Sequence, residues 1–185
     1  MKVKQNPIQE IKRLFAKYGH QTYGEGCSQS IHAISCATHA KYDGANNELI
    51  VAALLHDIGH FIAEQNQVIG FDQWGHAKHA EIGADWLKEL GFPASVYLPI
   101  RYHVQAKRYL LSQNKEHVNL SLASSITLKQ QGGVMTKQEI VKFESSDCFI
   151  DALKLRKYDD LGKPTTPMTN DMIEWFDLVE HVLKG

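Results

Sequence analysis

The sequence predicts an all-α fold. Three observations carry this. Apolar residues recur at three- and four-residue spacing through most segments; no run sustains the two-residue alternation of a half-buried strand; and only five prolines and short turn clusters interrupt the pattern. With 185 residues and 43% hydrophobic composition, the chain is long enough to bury a core unaided. No repeat or Pro/Gly/Ser-rich linker divides it, which predicts a single domain over residues 1–185.

The elements follow in order. Residues 7–19 form a first helix, with Ile8, Ile11, Leu14 and Phe15 on one stripe and Gly19 at its end. Residues 20–27 form a loop, and Ser28 caps a second helix that runs to Tyr42, before the turn Asp43-Gly44. Asn46 or Asn47 starts a third helix, continuous through Ala63. Asp72 to Trp74 precede a fourth over 75–90, stopped by Gly91. Pro93 suits the first turn of the next segment, and Pro99 begins another that contains His103. Further helices are expected over 118–131, 136–143, 146–158 and 169–183.

Lys plus Arg number 20 against 21 Asp plus Glu, a net charge of −1. No global basic field exists to collect nucleic acid or an anionic membrane, so any anion recognition is local. The longest apolar-rich stretch, Leu49 to Ala63, holds two His and an Asp and is too short to span a bilayer. The N-terminus carries no apolar signal region. Cys27, Cys36 and Cys148 form no CxxC pair, which suits a reducing compartment. Together these predict a cytoplasmic protein.

Ten histidines are the feature to pursue. The centre is Leu54-Leu55-His56-Asp57-Ile58-Gly59-His60. On a helix, His56 and His60 lie one turn apart on one face, and Asp57 lies about 100° round, bordering the same pocket. Taken alone, the doublet reads better as a His–Asp ion pair closing a helix contact. His32, His79, His103 and the pair Asp159-Asp160 add one candidate from each of several other helices. Bundles build metal sites in this way. Only one of Asp159 and Asp160 can point at such a site, because they differ by about 100° on a helix. His20, His117 and His181 fall near predicted termini or loops, and His76 is a candidate support for His79.

This ordered set resembles the HD-domain superfamily. The loop Tyr23-Gly24-Glu25, the doublet, His103 through Leu110, Ser121 through Met135, and Leu155 through Lys163 resemble the PhnZ-type phosphonate-cleaving diiron oxygenases, relatives of myo-inositol oxygenase. The resemblance implies a helical bundle with a dinuclear site in its core. His32, His56, Asp57 and Asp159 would hold one ion, with Asp160 the alternative to Asp159. Asp57, His79 and His103 would hold the other, Asp57 bridging. It implies two iron ions in a mixed-valent Fe(II)/Fe(III) state with O2 as cosubstrate. The activity implied is oxidative cleavage of the C–P bond of a small 1-hydroxy-phosphonate, such as a 2-amino- or 2-trimethylammonio-1-hydroxyethylphosphonate, to phosphate and a carboxylic acid. In that family a loop Tyr binds iron in the absence of substrate, three residues before the Glu. Here Thr22 holds that position and Tyr23 lies two before Glu25.

Lys107 lies four residues after His103 and, if the helix continues, faces the same pocket, where an ammonium would pair with a phosphonate. His60 and Ser125 are further candidates for the anion, with Ser124 the neighbouring choice. Glu25 and Tyr23 are candidates for a cationic substituent, the Tyr through a cation–π contact. The expected catalytic groups are Asp57, Lys107 and His60. The partner expected is a small organophosphonate, with no nucleic acid and no membrane; the sequence is silent on oligomeric state. Two other readings compete. One is an HD-type metal-dependent phosphohydrolase acting on a nucleotide or phosphomonoester, with the same ligands; the other is a non-catalytic metal-stabilised module.

Overall fold

The computed structural model describes residues 6–113, 122–164 and 171–185. Ten α-helices and one short β-hairpin are present among them: α1 (Pro7–Tyr18), α2 (Gln29–Tyr42), α3 (Asn47–Leu55), α4 (Ile58–Gln65), β1 (Phe71–Asp72), β2 (Gly75–His76), α5 (His79–Glu89), α6 (Ala94–Ser112), α7 (Leu122–Gln130), α8 (Lys137–Glu144), α9 (Phe149–Leu161) and α10 (Ile173–Lys184). No described helix is long and apolar enough to cross a membrane.

Helix starts follow local chemistry. The side chains of Asn6, Ser28, Asn46 and Thr136 each accept a backbone N–H of the first turn, and Thr136 with Glu139 forms a reciprocal capping box. α3 is apolar on every face, and Leu49 through Leu55 are all buried. Such a helix has to be central, and α2, α6, α9 and α10 pack around it. α4, α5 and α6 then stack in succession, and α9 closes the bundle against α6 and α2. A smaller apolar cluster of Ala106, Met135, Phe143 and Ala152 joins α6, α8 and α9.

Three features differ from the sequence expectation. The expected third helix is two helices, broken at His56-Asp57, where Asp57 takes φ −98°, ψ 3°. The expected start of the fourth helix is instead a hairpin pairing Phe71 with His76 and Asp72 with Gly75, so α5 begins only at His79. Pro93 and Pro99 do not start separate segments: Pro93 caps α6, which runs through Pro99 without ending. The first residues of the expected 118–131 helix, and His117, lie outside the described residues.

Two glycines set the spacing at the core of the site. A Cβ on Gly59 would lie 1.9 Å from the carbonyl oxygen of His79, and Gly83 faces Gly59 across the same crossing. Bare backbone at both positions lets α4 and α5 touch, which brings His79 within reach of Asp57.

Candidate metal centre

Four helices and one helix break converge on a cleft of about 520 Å³, counting the part open to solvent. α2 supplies His32, the α3–α4 break supplies His56 and Asp57, α5 supplies His79, α6 supplies His103 and Lys107, and α9 supplies Arg156 and Asp159. His32, His56, His79, His103, Lys107, Arg156 and Asp159 are all buried.

The four imidazoles share one arrangement. Nδ1 of His32 lies 2.9 Å from the carbonyl oxygen of Gly162, that of His56 2.9 Å from Ala53 O, that of His79 2.9 Å from His76 O, and that of His103 2.7 Å from Ile100 O. A carbonyl only accepts, so each Nδ1 carries a proton, and each ring, when neutral, turns an Nε2 lone pair inward. These lone pairs come in two facing pairs. His32 and His56 Nε2 are 3.2 Å apart, and His79 and His103 Nε2 are 3.0 Å apart. Neither contact is a hydrogen bond when both protons sit on Nδ1. Lone pairs facing lone pairs in a buried site call for a positive charge between them, either a metal ion or a proton on one of the rings.

Asp57 stands between the two pairs. Its Oδ2 lies 3.7 Å from His32 Nε2 and 3.5 Å from His56 Nε2. Its Oδ1 lies 3.3 Å from His79 Nε2 and 3.9 Å from His103 Nε2. Asp159 Oδ1 joins the first pair, 3.3 Å from His32 Nε2 and 3.8 Å from His56 Nε2. Asp160 does not face the cluster; it pairs with Arg156. Two donor sets result, one of two imidazoles and two carboxylates and one of two imidazoles and one carboxylate, sharing Asp57. Imidazole and carboxylate donors of this kind suit divalent transition metals such as iron, manganese or zinc. The residues therefore fit a dinuclear centre.

The charges are arranged accordingly. Burial alone would raise Asp57, but the surrounding imidazoles, His56 and His79 foremost, hold its carboxyl well below the usual range. Burial opposes the charged form of His56 too, but Asp57 and Asp159 outweigh it and push it up to about 9. Burial and the neighbouring histidines push His103 down to about 3. Burial, assisted by Arg156, lowers Lys107 to about 8.

Around this centre the cleft lining includes two cations, Lys107 and Arg156, and the polar side chains of Ser124, Thr127 and Gln131. Lys107 donates to Ser124 O and Thr127 Oγ1, each at 3.4 Å. Ser124 is buried and lines the cleft, whereas Ser125, the choice made from the sequence, is exposed and does not. The two serines differ by about 100° on α7, so the helix orientation decides between them. Arg156, which the sequence reading passed over, lines the cleft and donates to Asp159 Oδ2 at 2.6 Å, leaving Oδ1 to the histidines. The available signal was its i,i+3 spacing to Asp159.

Glu25 lines the cleft and pairs with Lys163 at 2.9 Å. Tyr23 also lines the cleft, with φ 44°, but its hydroxyl donates to Glu64 at 2.7 Å and its ring rests 4.9 Å from that of His60. Cys36, which the sequence did not mark, packs 3.7 Å from His32 Nε2. His20 and His181 are exposed and take no part.

A fold and centre of this kind define a class, helical proteins that hold metal with a His-Asp doublet. The HD domain family model matches residues 30–135, and the chain belongs to that family. It is similar over 96% of its length to two curated proteins. One is the [1-hydroxy-2-(trimethylamino)ethyl]phosphonate dioxygenase (glycine-betaine-forming) of Leisingera caerulea, 36% identical with 91% of that protein covered. Another is the hydroxymethylphosphonate dioxygenase of Gimesia maris, 38% identical with 88% covered. An uncharacterized protein of Acanthamoeba polyphaga mimivirus is 40% identical over 84% of the chain and 72% of its own length.

Proposed function

We propose that this chain, as a single HD domain, is a non-haem diiron oxygenase that cleaves the C–P bond of a small 1-hydroxy-phosphonate. One observation carries the reading: a carboxylate set between two pairs of inward-facing imidazoles, with a buried lysine one helical turn after His103. Similarity to two named phosphonate dioxygenases over nearly the whole chain supports it.

In this reading His32, His56, Asp57 and Asp159 hold one iron, and Asp57, His79 and His103 hold the other. The two irons would supply activation of O2 and its electron transfer with the substrate. The chain's own residues do the rest. Lys107 faces the phosphonate and compensates charge the metals leave; its burial keeps that charge–charge contact out of water. Ser124 and Thr127, which flank Lys107, provide the polar wall that the sequence reading assigned to Ser125. His60 lines the cleft beside the Asp57 carboxylate, 3.9 Å away. Glu25 and Tyr23, which also line the cleft, would meet the substituent on the second carbon. The overall change, hydroxyphosphonate plus O2 to carboxylic acid plus phosphate, balances without another reductant.

The experiment is phosphate release with Fe(II) and either hydroxymethylphosphonate or a 2-aminated 1-hydroxyethylphosphonate, with O2 uptake followed in parallel. Equal consumption of O2 and release of phosphate is expected. Phosphate release that continues without O2 would move the chain to the metal-dependent phosphohydrolases.

A further inference from the structure

His60 and His79 stack face to face, ring centroids 4.0 Å apart and planes 20° from parallel. They are not alike. His79 Nδ1 donates to the main-chain oxygen of His76 at 2.9 Å, whereas His60 Nδ1 accepts the main-chain N–H of the same His76, also at 2.9 Å. An Nδ1 that accepts cannot carry a proton. His60 is therefore neutral and protonated at Nε2, which looks toward Asp57 Oδ1 from 3.9 Å. One residue thus meets two adjacent imidazoles with its two main-chain groups, and it imposes opposite tautomers on them.

His76 is itself held at both ring nitrogens. Its Nδ1 accepts the N–H of Lys78 at 3.1 Å, and its Nε2 donates to Ile69 O at 3.1 Å. The short hairpin keeps its main chain in place, and Gly75 permits the approach: φ is +84°, and a Cβ there would lie 2.2 Å from His60 Nδ1.

We propose that His76 is a positioning residue whose main chain makes His60 an N–H donor into the cleft and His79 a lone-pair donor toward a metal ion. The second half rests on the metal reading above; the first half does not. The division of labour has a chemical point. Two stacked imidazoles in the same tautomer would either both seek metal or both offer protons. Held in opposite tautomers, one binds the cation and its neighbour, 4.0 Å away, offers a donor to the anion beside it.

The test is ring 15N chemical shifts of the full chain loaded with Zn(II), which is diamagnetic. His60 is expected with a proton on Nε2 and a bare Nδ1, and His79 with a proton on Nδ1. A His60 protonated on Nδ1, or on both nitrogens, overturns the proposal. Should the chain bind no zinc, the metal reading fails, and the His60 tautomer in the metal-free chain still decides this one. In His76→Ala the ring anchors are gone. Zinc at His79, followed through its ring shifts, should bind about 10- to 100-fold more weakly, while zinc at His32 and His56 is unchanged. His76→Asn, whose Oδ1 can take the Lys78 N–H, should restore it. Equal weakening of both ions, as general destabilisation would give, or weakening of neither, overturns the proposal. If His76→Ala does not fold, the wild-type shifts carry the decision.

Discussion

Asp57 is the residue on which both halves of the centre depend, because each of its oxygens faces a different imidazole pair. Asp57→Ala should therefore lose both metals, whereas His103→Ala should mainly empty one; metal analysis of purified variants checks this, and full dinuclear occupancy in Asp57→Ala would refute the bridge. Lys107 is tested separately, since it is no ligand. Removing its charge-assisted contact should cost about 1.5–3 kcal/mol, or roughly 10- to 150-fold in kcat/KM at about 1.4 kcal/mol per decade. Metal content should hold. Arg108→Ala should leave kinetics nearly intact, because Arg108 turns away to Gly133 O and Glu139. The burial that lowers Lys107 to about 8 also sets a pH dependence. The lysine is charged below that pH and neutral above it, so phosphonate affinity should fall as pH rises through about 8. The limiting fall is about tenfold per pH unit. Calorimetric titration of a 1-hydroxy-phosphonate across that range measures it; Lys107→Arg should remove the fall.

At the scale of elements, the crossing of α4 on α5 depends on Gly59. The φ there is ordinary; what matters is the 1.9 Å from a would-be Cβ to His79 O. Gly59→Ala should push the helices apart at a cost of about 1–3 kcal/mol and release the ion at His79 before the one at His32. Differential scanning calorimetry with metal analysis checks both, and an unchanged Tm with two ions bound would show that the crossing relaxes freely. The same region shows what could be read from the sequence. The helix existed where apolar periodicity placed it, but periodicity reports burial, not continuity of backbone hydrogen bonds. Leu54, Leu55, Ile58, Phe61 and Ile62 keep their spacing across the break at His56-Asp57, so the break left no trace. The hairpin was missed because strands of two residues are too short to alternate, although Asp72 and Gly75 bracket a turn. Of the six positions now brought together, from His32 to Asp159, the His56-Asp57 doublet was legible from its apolar helical context, and the full set from its resemblance to the HD-domain pattern. Ser124 against Ser125, and the part played by Arg156, turn on how helices rotate against one another, which spacing alone does not contain.

At the scale of the whole molecule, a net charge of −1 conceals a dense local mixture of charges, Lys107 and Arg156 among Asp57, Asp159 and Glu25 in the cleft, with Lys163 paired to Glu25. Buried imidazole lone pairs aimed at each other are a source of instability without a cation. Chelation should therefore lower Tm. A single ion at 100 times its Kd contributes about 2.7 kcal/mol, which for a chain of this length is roughly 5–10 °C. Thermal melts with and without a chelator measure it, and an unchanged Tm would mean that the centre holds no metal.

The anchoring of His32 by the carbonyl of Gly162 spans 130 positions of sequence, whereas His79 and His103 are 24 apart. The chain is made from its N-terminus at about 5–20 residues per second. The Asp57, His79 and His103 group is therefore complete on a growing chain several seconds before Asp159 and Gly162 exist. The two halves of the centre have different birth times, and the order in which they can first capture an ion is written into the order of synthesis.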